Sequence, residues 1–181
     1  MLLLIPADLV IFGTGMAGDS LHRVVLLLGS NQGDKASNLD KAIQLIGLKI
    51  GDVVLRSAVY ETEPWGFESE EAFLNQAVVI NTNIKPAKVL ESSLDIEKQM
   101  GRERILNVYS SRLIDIDILF YDQQIIEGPD LMVPHPLMQS RKFVLGPLNE
   151  IMPDFEHPVS GKKISQMLDH CEDTLKVMIA P

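Results

Sequence analysis

Apolar and acidic side chains alternate without a break through Ile114-Asp115-Ile116-Asp117-Ile118. A helix would scatter these five residues around its circumference, whereas a strand sends every second side chain to the same face. The segment Ile114 to Tyr121 therefore reads as a strand of a sheet, with three isoleucines turned to a core and two carboxylates side by side on the other face.

The same test sorts the rest of the chain. Val24 to Leu28 is a continuous apolar run ending in Gly29-Ser30-Asn31, the pattern of a buried strand leaving into a tight loop. Leu39, Ile43, Ile46 and Ile50 recur at helical spacing, with Ser37 or Asn38 available as a cap. Val53 to Thr62 and Phe73 to Thr82 are β-branched and alternating; joined by a loop with Pro64, Trp65 and Gly66, they predict a long hairpin. Pro86 suits the first turn of a second helix, with Ala87, Leu90 and Leu94 as its apolar stripe and Gly101 as its stop. The order strand, helix, strand, strand, helix, strand predicts an α+β fold: a ferredoxin-like βαββαβ antiparallel sheet with helices on one face. Val133 to Arg141 reads as a proline-punctuated loop. Short helices near Phe143 to Ile151 and Ile164 to His170 form a C-terminal helical extension.

With 181 residues, 46% of them hydrophobic, the chain can bury one real core but not two. A single domain is expected over residues 22–181. Met1 to Phe12 is apolar, but it has no basic flank, contains Pro6 and Asp8, and is too short to span a bilayer. Residues 1–21 are expected to be a disordered leader, or the product of a translation start placed ahead of Met16. A net charge of −9 excludes nucleic-acid binding driven by bulk charge, and no membrane partner is expected. Cys171 is the only cysteine, so no intrachain disulfide can form, which fits a reducing cytoplasm.

The chemistry concentrates around the two carboxylates. Asp115 and Asp117 can share hard cations such as magnesium, an arrangement suited to phosphoryl transfer; a solvated acidic strand face is the plainer reading. Arg112 lies just before them, and Arg102 and Arg104 follow the second helix. Guanidinium forks match phosphate oxygens, although a surface salt-bridge network would use the same residues. Phe73 and Asn75 share a strand face, either as a stacking plane beside an amide for a flat heterocycle or as a core ring beside a structural amide. His135, between two prolines, is a loop residue or a ligand contact. Glu97 falls beside the stripe of its helix, where a carboxylate needs a partner or a polar ligand.

Together these stretches resemble the 6-hydroxymethyl-7,8-dihydropterin pyrophosphokinases of folate biosynthesis, from about Val24 to Ile151. The resemblance rests on Gly29-Ser30-Asn31, Tyr60-Glu61-Thr62-Glu63-Pro64-Trp65-Gly66, Phe73-Leu74-Asn75, Ile96-Glu97 through Gly101-Arg102-x-Arg104, Arg112-x-x-Asp115-x-Asp117-Ile118-Leu119, and Val133-Pro134-His135-Pro136 through Arg141-x-Phe143. It implies a pterin stacked between Phe73 and Phe143, with Gly29, Thr62, Glu63, Trp65 and Asn75 around its edges. It implies ATP as co-substrate, held by Glu97, Arg102, Arg104, Ile118, His135 and Arg141. Asp115 and Asp117 would hold two magnesium ions, while Arg102 and Arg112 stabilise charge as the hydroxymethyl oxygen attacks the β-phosphorus and AMP leaves. Attack at β rather than γ comes from the resemblance alone, as does the expectation of a monomer. The Pro64-Trp65-Gly66 loop and the Arg102 to Ser111 loop are expected to move over ATP. The chain departs from the family pattern at Ser110-Ser111, where Gly-Pro is common, and at Leu137, where a basic residue is common.

Two other readings compete. Gly13-Thr14-Gly15-Met16-Ala17-Gly18 matches a dinucleotide-binding glycine fingerprint and would suit an oxidoreductase. That fingerprint must open a helix, however, and the strand at Val24 leaves about one turn of room. A non-catalytic ferredoxin-like binding module fits the topology but leaves the acid and arginine cluster unexplained.

Overall fold

Strand β1 (His22–Ser30) runs through the middle of a six-stranded sheet in a computed structural model that describes residues 21–63, 71–102 and 112–181. The leader, its glycine run, the Pro64-Trp65-Gly66 loop, Arg104, Ser110 and Ser111 lie outside the described residues. On one side β1 pairs with β5 (Asp115–Tyr121) and on the other with β4 (Phe73–Thr82), both antiparallel. Strands β2 (Asp52–Arg56) and β3 (Tyr60–Thr62) pair in turn with β4. A two-stranded ribbon, β6 (Ile126–Glu127) with β7 (Met132–Val133), follows β5, and β8 (Val177–Ile179) closes the edge beside β3.

Helices α1 (Lys35–Lys49) and α2 (Pro86–Gln99) cover one face. Leu39, Ile43 and Ile46 of α1 pack with Leu26, Leu28, Ile80, Ile116 and Ile118 in its core. Helices α3 (Lys142–Ile151) and α4 (Ile164–Asp169) cover the other, where Val144, Leu145, Leu148 and Met167 meet Val25, Leu27, Ala77 and Val79. The α+β antiparallel sheet is as expected, but the helices are not confined to one face. The reason was visible in Val24 to Leu28: five consecutive buried apolar residues point to both sides of the sheet, and both sides need cover.

Three local expectations are corrected. The second strand is not continuous from Val53 to Thr62. At Ser57 the backbone N–H donates to the Ala77 carbonyl (2.9 Å) while the Ser57 hydroxyl accepts the Ala77 N–H (3.0 Å), so a side chain takes a ladder position. The chain then leaves the sheet, and the Ala58 N–H turns to the Glu150 carboxylate at 3.1 Å. Helix α1 is capped by Asp34, which accepts the Ser37 N–H at 3.1 Å, not by Ser37 or Asn38. Asn38 instead donates to the Gln32 carbonyl (2.9 Å) and the Ser30 hydroxyl (3.3 Å), tying the helix to the end of β1. In α2 the buried positions are Val89, Ser93, Ile96 and Glu97, one step round from the expected stripe. Ala87 is exposed and Leu90 and Leu94 are half-buried. The helix is turned so that Glu97 can bond to β5.

Candidate active site

The register of the three central strands builds the floor of a cleft. Gly29 stands opposite Asn75 on one side and Asp115 on the other, and Leu27 likewise stands between Ala77 and Asp117. A Cβ at position 29 would fall 3.0 Å from the Asn75 side-chain oxygen and 3.9 Å from the Phe73 ring, so glycine keeps this floor open. The cavity above it measures about 300 Å³. That volume suits a fused bicyclic ring with a phosphate group. Strands β3 and β4 give its lining Thr62, Phe73 and Asn75; the segment leading into α3 gives His135, Pro136, Leu137, Arg141 and Phe143; and Arg102, Arg112, Asp115 and Asp117 supply charge, with Glu63 also in the lining.

Twelve of the residues singled out in the sequence thus meet in one cavity: Gly29, Thr62, Glu63, Phe73, Asn75, Arg102, Arg112, Asp115, Asp117, His135, Arg141 and Phe143. Two do not line it. The Ile118 side chain is buried in the core under α1 and α2, so only its backbone could serve a ligand. Glu97 is 1% exposed, with its carboxylate 2.6 Å from Arg102 Nη1 and accepting the Ile116 N–H at 2.9 Å. It positions Arg102 and β5 from behind the cavity. Trp65 and Arg104 lie outside the described residues.

The charged end is tightly paired. Asp115 receives Arg102 on one oxygen and Arg112 on the other, the latter at 2.9 Å. The buried Nε–H of Arg112 meets no acceptor among the described residues, leaving a donor that an anionic ligand could satisfy. The Arg112 guanidinium sits 5.5 Å from the Phe73 ring centre and that of Arg141 sits 5.7 Å from the Phe143 ring centre. Each aromatic wall thus has a cation against it. Burial lowers the pKa of His135, and the nearby Arg141 charge adds to this, so the ring is neutral at neutral pH. Its Nδ1 accepts the Leu137 N–H at 3.3 Å, which puts the ring proton on Nε2 as a hydrogen-bond donor.

Asn31 supports the cavity lining through contacts that the sequence did not reveal. Its side-chain oxygen accepts the Arg112 N–H at 2.7 Å and its own N–H donates to the Arg112 carbonyl at 3.1 Å. This two-way clasp sets where Arg112 leaves the sheet. A fully buried asparagine at a strand exit must find such partners, which is the signal that could have exposed it.

Burial first, and then the neighbouring Asp115 charge, push the Asp117 carboxyl up to about 7; Arg112 and Arg141 oppose the shift. The native protein therefore keeps a proton that the unfolded chain has released. This contribution to stability is greatest below the ordinary aspartate value of 3.8 and is lost as pH rises towards about 7. Between pH 6 and pH 8 the metal-free protein should lose about 1 kcal/mol that Asp117→Asn does not lose. Parallel chemical denaturation of both proteins at the two pH values measures it, and equal losses would contradict the shift.

Comparison with known proteins follows the same lines. Residues 25–153 match the family model described as 7,8-dihydro-6-hydroxymethylpterin-pyrophosphokinase (HPPK). The 2-amino-4-hydroxy-6-hydroxymethyldihydropteridine pyrophosphokinase of Porphyromonas gingivalis is 42% identical over 138 residues, covering 75% of this chain and 93% of the relative. The protein of the same name from Bacillus subtilis is 39% identical over 142 residues, 78% of this chain and 84% of that one. Among solved structures, wild-type Plasmodium falciparum HPPK-DHPS superposes with a TM-score of 0.67 at 18% identity, over 83% of this chain. The chain spans 44% of that longer protein, and the likeness speaks for the fold.

Proposed function

The chain belongs to the 7,8-dihydro-6-hydroxymethylpterin-pyrophosphokinase family, and from that premise we propose that it transfers the diphosphate of ATP to the hydroxymethyl group of 6-hydroxymethyl-7,8-dihydropterin, giving AMP and the pterin diphosphate used in folate biosynthesis. One observation carries this reading: two aromatic walls, an amide and a cluster of two aspartates and three arginines open into the same cavity. The rings suit a flat heterocycle and the charged end suits a metal-bound polyphosphate.

Phe73 and Phe143 stack the pterin, and Asn75 meets its edge. The Asn75 amide nitrogen already donates to the Thr62 hydroxyl at 2.7 Å, which fixes the amide plane and presents its oxygen to the cavity side near Gly29. Arg102, Arg112 and Arg141 meet phosphate oxygens, with His135 as a neutral donor. Phosphoryl transfer asks a protein mainly for alignment and charge stabilisation, which fits a site of arginines, carboxylates and aromatic rings.

Asp115 and Asp117 fit two magnesium ions. No group of three or more candidate ligands exists among the described residues, so the rest of the coordination falls to phosphate and water, as magnesium favours. When bound, magnesium supplies charge neutralisation and alignment of the phosphates.

The sheet order, with the last core strand beside the first and the first beside the third, supports the ferredoxin-like assignment. We assign residues 22–181 to a single catalytic domain. Cys171 is a free thiol, which is compatible with a reducing compartment such as the cytoplasm.

The test is an incubation of purified protein with magnesium, ATP and 6-hydroxymethyl-7,8-dihydropterin, followed by chromatography. AMP and pterin diphosphate in equal amounts are expected. ADP with a pterin monophosphate would overturn the β attack, and no consumption by folded protein would overturn the reaction.

A further inference from the structure

We infer that the C-terminal segment Asp173 to Ala180 is a strap that sets the distance between the two walls of the pterin pocket, with Asp173 as a positioning residue. The inference rests on the reaction proposed above, and the segment lies beyond the stretch matched by the family model.

The strap touches each wall through a different set of bonds. On the Phe143 side, Asp173 accepts the Lys142 N–H at 2.9 Å and the Leu175 N–H at 3.1 Å. Lys142 is the first residue of α3 and lies between Arg141 and Phe143, both of which line the cavity. Arg141, at the cap position of α3, makes no side-chain capping bond, so Asp173 satisfies a helix-end donor from outside the helix. On the opposite side, β8 pairs with β3 in the register Tyr60 to Ile179, Glu61 to Met178 and Thr62 to Val177. Beyond the strand ends, the Glu63 N–H donates to the Lys176 carbonyl at 3.4 Å, and the Lys176 N–H donates to the Glu63 carboxylate at 3.2 Å. The Ala180 N–H donates to the Val59 carbonyl at 2.8 Å. Thr62 and Glu63 are the cavity residues held by these contacts.

Without the strap, β3 would be a three-residue edge strand paired on one side only, a weak support for a binding wall. Between the two anchor points α3 also comes close: a Cβ on Gly146 would lie 3.4 Å from Val177 and 3.9 Å from Tyr60. Helix, strap and strand thus form one packed unit, and the spacing of Phe143 from Thr62 follows from it.

Two substitutions release the two ends separately. Asp173→Ala removes the acceptor for Lys142, while Asp173→Asn keeps one acceptor oxygen and should restore part of the loss. Met178→Pro removes an N–H: with Glu63 to Lys176 and Val59 to Ala180 bonded, alternation makes Glu61 to Met178 a bonded pair. The Met178 side chain is 57% exposed, so little packing is lost.

In steady-state turnover by the full-length chain, each disruptive variant should raise the KM for the pterin about tenfold, a shift expected when a pre-set pocket must be ordered on binding. For Met178→Pro the KM for magnesium-ATP and the kcat at saturating pterin should stay within about twofold. A pterin KM unchanged in both variants overturns the strap and leaves the reaction standing. Lower melting temperature with equal losses for both substrates also overturns it, since that marks a merely structural tail. Wild-type protein that turns over no pterin fails before any substitution is made; that outcome overturns the proposed reaction and the strap's role with it.

Discussion

Asp117→Ala is expected to lower turnover by about a thousandfold or more and to leave the protein folded. The position combines two properties that seldom coincide in a structural carboxylate. It lies in a strand anchored by Ile116 and Ile118, both 4% exposed, so the sheet does not depend on it. Its pKa, raised to about 7 by burial and by Asp115, shows that the metal-free protein gains little from keeping its charge. That combination fits the metal-holding role proposed above. Single-turnover measurement of AMP formation at saturating magnesium-ATP, with circular dichroism as the folding control, checks this expectation. Turnover within about tenfold of wild type would remove Asp117 from the metal site.

The largest loss of stability is expected from Glu97→Ala. The substitution leaves the Ile116 N–H without its acceptor and the largely buried Arg102 with Asp115 as its remaining ion-pair partner among the described residues. Removing one partner of a buried pair costs about 3–5 kcal/mol. For a chain of this size that corresponds to a fall in melting temperature of roughly 10 °C. Turnover should fall as well, because Arg102 loses the contact that aims it. Glu97→Gln keeps an acceptor for Ile116 and should recover part of the stability but not the aim of Arg102. A thermal melt of Glu97→Ala within about 2 °C of wild type would show that the pairing is dispensable.

The sheet and the chemical end of the site were legible because their signals are local. Alternation at Ile114 to Ile118 gives both the strand and the shared face of the aspartates, and the run Val24 to Leu28 gives a strand buried on both sides. Phe73 and Asn75 were placed together by the same period of two. The features that escaped depend on partners far apart in sequence. Asn31 acts on Arg112, Asp173 on Lys142, and Glu150 on Ala58, and no periodicity announces any of these pairs. The break at Ser57 escaped because a hydroxyl can mimic a backbone partner without disturbing the apolar pattern. Rotation of α2 was misjudged because the buried carboxylate of Glu97, not the most apolar stripe, decides which side faces the sheet. For Glu97, sequence shows that a carboxylate beside an apolar stripe needs a partner, but not that Arg102 and the Ile116 N–H are among its partners.

In the resting protein Arg102 and Arg112 both lean on Asp115. A lone cation arriving at that carboxylate would leave Arg102 to Glu97 and take from Arg112 its ion-pair partner, and a lone polyphosphate drawing the arginines away would strand the carboxylate. Only a cation and an anion arriving together can exchange every partner at once. Under the proposed reaction, the cluster is expected to favour the metal-nucleotide complex over either component alone.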